Sequence, residues 1–291
     1  MLFEGCCTAL VTPFDGNGAV NYYSLKNLID YQIANNTKAI CILGTTGESA
    51  TITDEERSKI IKFCVCIVNG RVPLIVGTGS NSTAVTIRHS IEAEELGADG
   101  VLVVTPYYNK CNQNGLFEHF KAISNSVKIH IIIYNIPSRT GVNILPQTVK
   151  KLSKIKNIVG IKEASGNLSQ IAELISILPQ NFAVYSGDDN LTLPLLSIGA
   201  KGVISVTANC YPDLVQNLCE YCKNYDFYNA QRSYRKLYNI NKALFLDVNP
   251  ICIKFYMNLL GLNVGLTRLP LTLPNAETIK KLKEILNEYE N

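Results

Sequence analysis

Histidine is scarce in this chain, and its scarcity limits the metal chemistry that the sequence can support. Only 3 histidines occur among 291 residues, and they are scattered along the chain. Cys219 and Cys222 form one CxxC pair, but no second pair stands at the spacing of a zinc site. The sequence therefore gives no support for a metal site.

Charge is also low and nearly balanced. Charged residues make up 18% of the chain, and 27 basic residues against 24 acidic ones leave a net charge of +3. No basic run of the kind that follows phosphates occurs, so we expect no nucleic-acid partner. No apolar stretch is long enough to cross a bilayer, and the start MLFEGCC lacks the basic region of a secretory signal. We therefore expect a cytoplasmic protein without a membrane partner.

Cysteine, by contrast, is abundant. Most of the 10 cysteines fall inside apolar runs, where a reduced cysteine behaves as a small hydrophobic side chain. We therefore predict structural, buried thiols at Cys6, Cys7, Cys41, Cys64, Cys66, Cys210 and Cys252.

Short apolar runs recur along the first three quarters of the chain, and a segment with helical periodicity follows each of them. The runs are continuous rather than alternating in polarity, which is typical of parallel strands that are buried on both faces. With 47% hydrophobic residues, the chain can bury a sizeable core. The pattern predicts an α/β fold, a (β/α)8 TIM barrel, with strands at 6–11, 39–43, 72–76, 100–104, 129–134, 158–162, 182–186 and 202–206.

Helix signals support this reading. Asn21 is a predicted N-cap, and Thr53 with Glu56 forms a predicted capping box. After about residue 225 the strand patterns stop and three helical patterns follow, at 227–246, 250–260 and 276–289. We predict a catalytic barrel over 1–225 and a C-terminal three-helix domain over 226–291.

Two strand ends carry the residues with the clearest chemistry. Lys162 ends the run IVGIK, and Tyr134 ends the run IHIIIY. Active sites of such barrels lie at the carboxyl ends of the strands, and neighbouring strands stand only about 5 Å apart. A lysine amine beside a phenol indicates imine chemistry, in which the lysine condenses with a carbonyl and the tyrosine moves protons.

An ion pair with Glu163 is the alternative role for Lys162. Successive side chains of a strand point to opposite faces, so Lys162 and Glu163 cannot share one. If Val159 and Ile161 face the surrounding helices, Lys162 faces the barrel interior. Tyr134 then shares the interior with Ile132.

Two other strand-end features, GTTGE and Arg139, each allow two interpretations. The sequence GTTGE at 44–48 is either a plain turn or a nest of backbone N–H groups for a small carboxylate. Arg139 is either a solvated surface charge or a bidentate ligand for a carboxylate at the barrel mouth. Gly187 and Ile204 are predicted as pocket wall.

The strand-end motifs together resemble a known family. TALVTPF, GTTGES, GTGSN, VTPYYNK, YNIPSRTG, VGIKEAS, SGDD and GVISVTAN follow one another in the order seen in the class I pyruvate-dependent aldolases, the family of dihydrodipicolinate synthase and N-acetylneuraminate lyase. The resemblance covers essentially the whole chain. It implies a lyase of lysine and diaminopimelate biosynthesis that condenses pyruvate with L-aspartate 4-semialdehyde to 4-hydroxy-2,3,4,5-tetrahydrodipicolinate. It also implies a homotetramer, built as a dimer of tight dimers, and no cofactor beyond a covalent imine.

The resemblance also implies roles for single residues. Lys162 would form the imine with pyruvate, and Arg139 would hold the carboxylate of the semialdehyde. The expected proton relay consists of Tyr134, Thr45 and Tyr108, with Tyr108 reaching in from a neighbouring subunit. The expected pyruvate-binding positions are Thr46, Gly187 and the backbone of Ile204.

One departure from the family concerns feedback inhibition by lysine. Ser49, Ala50, Asn81 and Tyr107 match the allosteric pocket of lysine-inhibited relatives. That pocket also carries histidines and an acidic residue, which Asp54, Arg57 and Val85 replace here. Val85 cannot pair with an ammonium group, so we predict weak or absent inhibition by lysine.

Two alternatives stay open at this stage. An aldolase acting on a sugar acid, either an N-acetylneuraminate lyase or a 2-keto-3-deoxy sugar acid aldolase, would use the same lysine. Arg139 disfavours it, because an arginine there suits a short substrate with its own carboxylate. A catalytically dead pyruvate-binding barrel is disfavoured because Lys162, both tyrosines and the threonine pair are all present.

Overall fold

Eight strands close into one parallel barrel in chain order, as the apolar runs predict. The computed structural model describes residues 1–290. The strands are β1 (Gly5–Ala9), β2 (Ala39–Ile42), β3 (Leu74–Gly77), β4 (Gly100–Val104), β5 (His130–Asn135), β6 (Ile158–Glu163), β7 (Ala183–Ser186) and β8 (Gly202–Ser205). All eight predicted strands are confirmed.

Helices surround the barrel. They are α1 (Tyr22–Ala34), α2 (Asp54–Val68), α3 (Thr83–Glu95), α4 (Gln113–Ser126), α5 (Pro137–Thr140), α6 (Pro146–Leu152), α7 (Leu168–Ile177), α8 (Thr192–Ser197), α9 (Pro212–Lys223), α10 (Phe227–Ala243), α11 (Ile251–Leu259) and α12 (Ala276–Glu290). The Asn21 side chain caps α1, and Thr53 with Glu56 forms a complete capping box on α2. Both predicted caps are therefore confirmed.

The two faces of the strands build two separate cores. Ile133 and Ile161 pack outward with the helices. Ile132 and Tyr134 pack inward with Tyr185 from β7. This alternation is the period of two that a pleated strand imposes, and it places the Tyr134 side chain inside the barrel.

Val159 is an exception to the predicted alternation. It was expected to face the helices with Ile161, but it packs inside the barrel with Ile132. The register between β5 and β6 shifts at this point, since Ile131 pairs with Ile158 while Ile132 pairs with Gly160. Such an irregularity adds one residue to a strand and reverses the facing of its neighbours.

The C-terminal helices α10, α11 and α12 begin within a residue of their predicted starts. Cys6 of β1, Leu218 of α9 and Leu237 of α10 belong to one apolar cluster. Apolar contacts therefore run across residue 225, and the division into domains at 1–225 and 226–291 stays a prediction.

All ten cysteines are free thiols. Six of the seven predicted buried thiols are buried, namely Cys6, Cys7, Cys41, Cys64, Cys210 and Cys252. Cys66 is exposed instead, because it lies on the outer side of α2, away from the buried Cys64. Within residues 1–290, no helix has both the length and the apolar character that crossing a membrane requires.

Candidate active site

Lys162 and Tyr134 are register partners on β6 and β5. The Lys162 Nζ lies 4.5 Å from the centre of the Tyr134 ring, and both side chains are buried, with 5% and 6% exposed. An amine held over an aromatic face is attracted to it electrostatically. The predicted amine and phenol therefore stand side by side at the carboxyl end of the barrel.

Glu163 does not pair with Lys162. Its carboxylate accepts hydrogen bonds from Asn135 Nδ2, at 3.0 and 3.2 Å, and from the backbone N–H of Ser165 at 2.7 Å. Burial raises the pKa of the Glu163 carboxyl, and these hydrogen bonds oppose the change. The parity argument is confirmed, since the lysine ion pair considered as its alternative role does not form.

Gly187 follows β7 and borders the lysine. Its N–H donates to the Glu163 carbonyl at 2.8 Å, which draws the two strand ends together. A Cβ at this position would lie 2.7 Å from the Ala164 Cβ and 3.1 Å from the Lys162 Cε. Only glycine leaves room for the lysine side chain here.

The GTTGE segment is a tight turn with two unused donors. Within it, the N–H groups of Gly47 and Glu48 bond the carbonyls of Gly44 and Thr45, at 3.1 Å each. The N–H groups of Thr45 and Thr46 donate to no acceptor within residues 1–290. A nest of free N–H groups favours an anion, so the turn can receive a small carboxylate.

Asn249 joins this turn to Arg139, and sequence reasoning missed it. Its Nδ2 donates to Thr46 Oγ1 at 2.9 Å, and its carbonyl accepts from Arg139 Nη2 at 3.3 Å. The Asn249 Oδ1 is buried and has no hydrogen-bond partner among the described residues. Asn249 directly precedes Pro250 and α11, far in sequence from every strand end, so no local signal marks it.

A small cavity of ≈ 40 Å³ collects most of the predicted site residues. Its walls include Thr45, Thr46, Tyr134, Arg139, Lys162 and Gly187, together with Cys41, Val206, Phe245 and Asn249. Burial raises the pKa of the Cys41 thiol to about 11, which keeps it protonated beside the lysine.

Two predicted residues lie outside this cavity. Ile204 is buried in the barrel interior, and Val206, two residues further along the chain, forms the wall instead. Tyr108 points into solvent with 91% of its surface exposed, and its φ of 69° is unusual for a tyrosine. Within one chain, Tyr108 does not reach the cavity.

A wider cleft of ≈ 490 Å³ opens beside the cavity and shares Thr45, Arg139 and Asn249 with it. The residues proposed for an allosteric pocket divide between the inside and the outside of this cleft. Ser49, Ala50, Arg57, Val85 and Tyr107 line it, whereas Asn81 and Asp54 do not.

The arrangement can support covalent chemistry on Lys162. It offers an amine, a phenol, two free N–H groups and a guanidinium around one small space. Within residues 1–290, no three His, Cys, Asp or Glu side chains are arranged to hold a metal ion. The predicted independence from cofactors stays a prediction.

Comparison with known proteins gives one consistent result. The model of the dihydrodipicolinate synthetase family matches residues 2–289. The chain is 49% identical over 288 residues to the 4-hydroxy-tetrahydrodipicolinate synthase of Acetivibrio thermocellus, and the match covers 99% of this chain and 98% of that protein.

Solved structures that are similar to this chain come from the same family. The crystal structure of dihydrodipicolinate synthase from Aquifex aeolicus is similar with a TM-score of 0.97 and 46% identity, covering 99% of this chain and 98% of that one. The DHDPS of Cyanidioschyzon merolae with lysine bound is similar with a TM-score of 0.96 and 40% identity, covering 99% of each chain.

Proposed function

The chain belongs to the dihydrodipicolinate synthetase family, and from this membership we propose that it joins pyruvate to L-aspartate 4-semialdehyde through an imine on Lys162. Its activity is that of a 4-hydroxy-tetrahydrodipicolinate synthase, a lyase of lysine biosynthesis. The observation that carries the imine is the buried Lys162 amine beside the Tyr134 ring.

Pyruvate binds first in this proposal. Its carboxylate accepts hydrogen bonds from the free N–H groups of Thr45 and Thr46, which directs its keto carbon toward the lysine. The unprotonated Lys162 amine adds to that carbon, and the resulting carbinolamine loses water to give an iminium ion. Tyr134 donates and accepts the protons that are transferred when the amine adds and when water leaves.

The iminium then acts as an electron sink. Loss of a methyl proton gives an enamine, whose terminal carbon attacks the aldehyde carbon of the semialdehyde and forms the new carbon–carbon bond. The amino group of the semialdehyde adds to the imine carbon and closes the ring. The Lys162 amine leaves as free amine, so the lysine itself supplies the chemistry that a cofactor would otherwise supply.

The second substrate is held by Arg139 and Asn249 in this proposal. The guanidinium of Arg139 binds the carboxylate of the semialdehyde in a charge-assisted pair. The unpartnered Oδ1 of Asn249 accepts a hydrogen bond from its amino group. A substrate without an amino group would leave the buried Asn249 Oδ1 unpaired, which selects for an amino acid semialdehyde over a sugar acid.

A second copy of the chain completes the site in this proposal. Tyr108 is exposed, and its unusual backbone holds the ring away from its own barrel. Exposed apolar side chains of Tyr107, Leu246 and Val248 suit a protein interface. We assign Tyr108 to the proton relay of a neighbouring subunit and the assembly to a homotetramer. The ten free thiols favour the reducing cytoplasm.

Trapping the imine tests the proposal. Pyruvate plus borohydride is expected to add one reduced pyruvate to Lys162, identified by mass spectrometry of the peptide. Lys162→Arg is expected to lose the adduct and at least about 1,000-fold of the synthase activity, because a guanidinium keeps its proton and cannot form the imine. An unmodified Lys162 in active enzyme would contradict the proposal.

A further inference from the structure

A buried ion pair lies behind the turn that is proposed to hold pyruvate. The Lys254 Nζ of α11 donates to Glu48 Oε1 at 2.7 Å, and both side chains are 1% exposed. Glu48 is the last residue of GTTGE and follows Thr45 and Thr46 in the turn. The pair therefore connects the C-terminal helices to the proposed pyruvate turn.

Several further contacts enclose this pair. The Glu48 Oε2 accepts from the backbone N–H of Arg268 at 2.9 Å. The Lys254 Nζ also donates to the Leu266 carbonyl at 2.8 Å and lies 4.1 Å from the centre of the Phe14 ring. Both charges are thus hydrogen-bonded, which is the condition under which a buried ion pair is tolerated.

The backbone at Glu48 adds a second observation. Its φ is 55° and its ψ is 38°, a left-handed conformation that glycine or asparagine would adopt at lower cost. Strained residues persist where their surroundings fix them, and they concentrate at functional sites. A glutamate at this position is therefore explained by its carboxylate and not by the turn alone.

Besides the backbone N–H of Arg268, three side chains from outside the turn hold it in place. Thr12 Oγ1 donates to the Gly47 carbonyl at 2.7 Å, Asn249 Nδ2 donates to Thr46 Oγ1, and Lys254 holds the Glu48 carboxylate. Two of the three come from the segment that starts α11. Only the Lys254 tether joins two full charges.

We propose that the Glu48–Lys254 pair is a positioning device that aims the free N–H groups of Thr45 and Thr46 at the carboxylate of pyruvate. Neither side chain lines the small cavity around Lys162, and Glu48 borders only the wider cleft beside it, so we assign both a role that acts through the turn. The inference rests on the proposed imine function, because it assumes that pyruvate is the ligand of this turn.

The charge state of Lys254 gives the device a dependence on pH. Burial lowers the pKa of the Lys254 ammonium to about 8, and the Glu48 carboxylate opposes that change while Arg268 adds to it. The charged groups that face the ammonium are Glu48 and Arg268, with Glu56 paired to Arg268 behind them. The Lys254 ammonium is therefore mostly charged at pH 7, and the tether loses this charge as the pH rises through about 8.

The test measures pyruvate binding in variants of the pair. The pyruvate concentration that gives half of the maximal borohydride adduct is measured in Lys254→Met and in the double variant Glu48→Gln/Lys254→Met. Removing one charge of a buried pair destabilises the fold, whereas removing both costs much less. The double variant is thus expected to recover most of the thermal stability that the single variant loses.

For pyruvate binding, a positioning role predicts that the double variant does not recover what the single variant loses. We expect the half-saturating concentration to rise about tenfold in both variants at pH 7, the loss expected for a hydrogen bond between charged groups. The difference in half-saturation between each variant and the unaltered enzyme is expected to narrow at pH 9, since most of the Lys254 amine in the unaltered enzyme is then neutral. The matched control is Lys281→Met, which removes an exposed pair of the same 2.7 Å separation and should change nothing.

The outcomes separate the two proposals. A folded double variant whose half-saturation stays within about twofold of the unaltered enzyme overturns the positioning role and leaves the imine intact. If the unaltered enzyme forms no adduct at all, the imine on Lys162 is wrong and the positioning role falls with it.

Discussion

Gly187 lies so close to Lys162 that a Cβ built on it would come within 3.1 Å of the lysine Cε. The same Cβ would lie 2.7 Å from the Ala164 Cβ, so the new methyl group has no free direction. The space left open by this glycine therefore lies directly against the Lys162 side chain.

Gly187→Ala is therefore expected to displace the amine. A shift of about 1 Å in a reacting group costs on the order of 100-fold in rate, and we expect a loss of that size in turnover. Steady-state kinetics and the borohydride adduct measure it. Gly16→Ala is the control, because a Cβ there meets nothing within 4 Å. A Gly187→Ala enzyme with normal turnover would contradict the close packing.

Tyr134→Phe separates proton transfer from packing. Removing the hydroxyl leaves the ring over Lys162, so the imine should form more slowly but still be trapped after long incubation, whereas turnover should fall roughly 100-fold or more, as for the loss of a general acid–base group. Tyr185→Phe is the matched control, since that barrel-interior hydroxyl donates to the Phe3 carbonyl at 2.8 Å. It should lower the melting temperature and spare the rate.

Lysine is expected to inhibit weakly or not at all. Val85 lines the cleft where an acidic residue would pair with the ligand's ammonium group, and the Arg57 Nη1 is already bonded to the Gly77 carbonyl at 2.9 Å. We expect less than half inhibition at about 1 mM lysine, which means binding weaker than about 4 kcal/mol. A strong response in a rate titration at that concentration would refute this.

Acid is expected to break the contact between Glu56 and Arg268. The Arg268 guanidinium, at 2.5 Å, lowers the pKa of the Glu56 carboxyl from 4.5 to about 2. A carboxyl whose pKa is lower in the folded state stabilises the fold fully above its unfolded pKa, and this stabilisation is lost as the pH falls from 4.5 toward 2.

Melting temperatures measured across this pH window check the prediction. Glu56→Gln should lower the melting temperature at pH 7 and flatten its decline below pH 4.5. Glu118→Gln, which removes an exposed pair at 3.8 Å, is the control and should leave the curve unchanged. Parallel curves for Glu56→Gln and the unaltered protein would exclude the contact as a source of acid sensitivity.

The local parts of this fold could be predicted from the sequence because strands have a period of two. That period places Tyr134 inside and Glu163 away from Lys162 without any knowledge of the partner strands. It fails at Val159, because the pairing of β6 with β5 shifts there, and the only local mark of that shift is Gly160 inside the strand.

The remainder of the site depends on contacts between distant segments. Asn249 meets Thr46 across more than two thirds of the chain, and the Glu48–Lys254 pair spans a similar distance. Asn249 and Lys254 end no strand and belong to no recognisable motif, so only the folded chain brings them to the GTTGE turn. Ile204 shows the converse, since its strand was predicted at 202–206 and forms at Gly202–Ser205, while Val206 just beyond it lines the cavity and the role of the Ile204 backbone stays a prediction.

The Asn249 contact has a consequence for how this enzyme can be divided or redesigned. Because the C-terminal segment supplies part of the cavity around the Lys162 amine, a barrel separated from its last helices would lose a wall of that cavity as well as packing contacts. Grafting new helices onto such a barrel would then alter which molecules react, even where every strand end is left untouched.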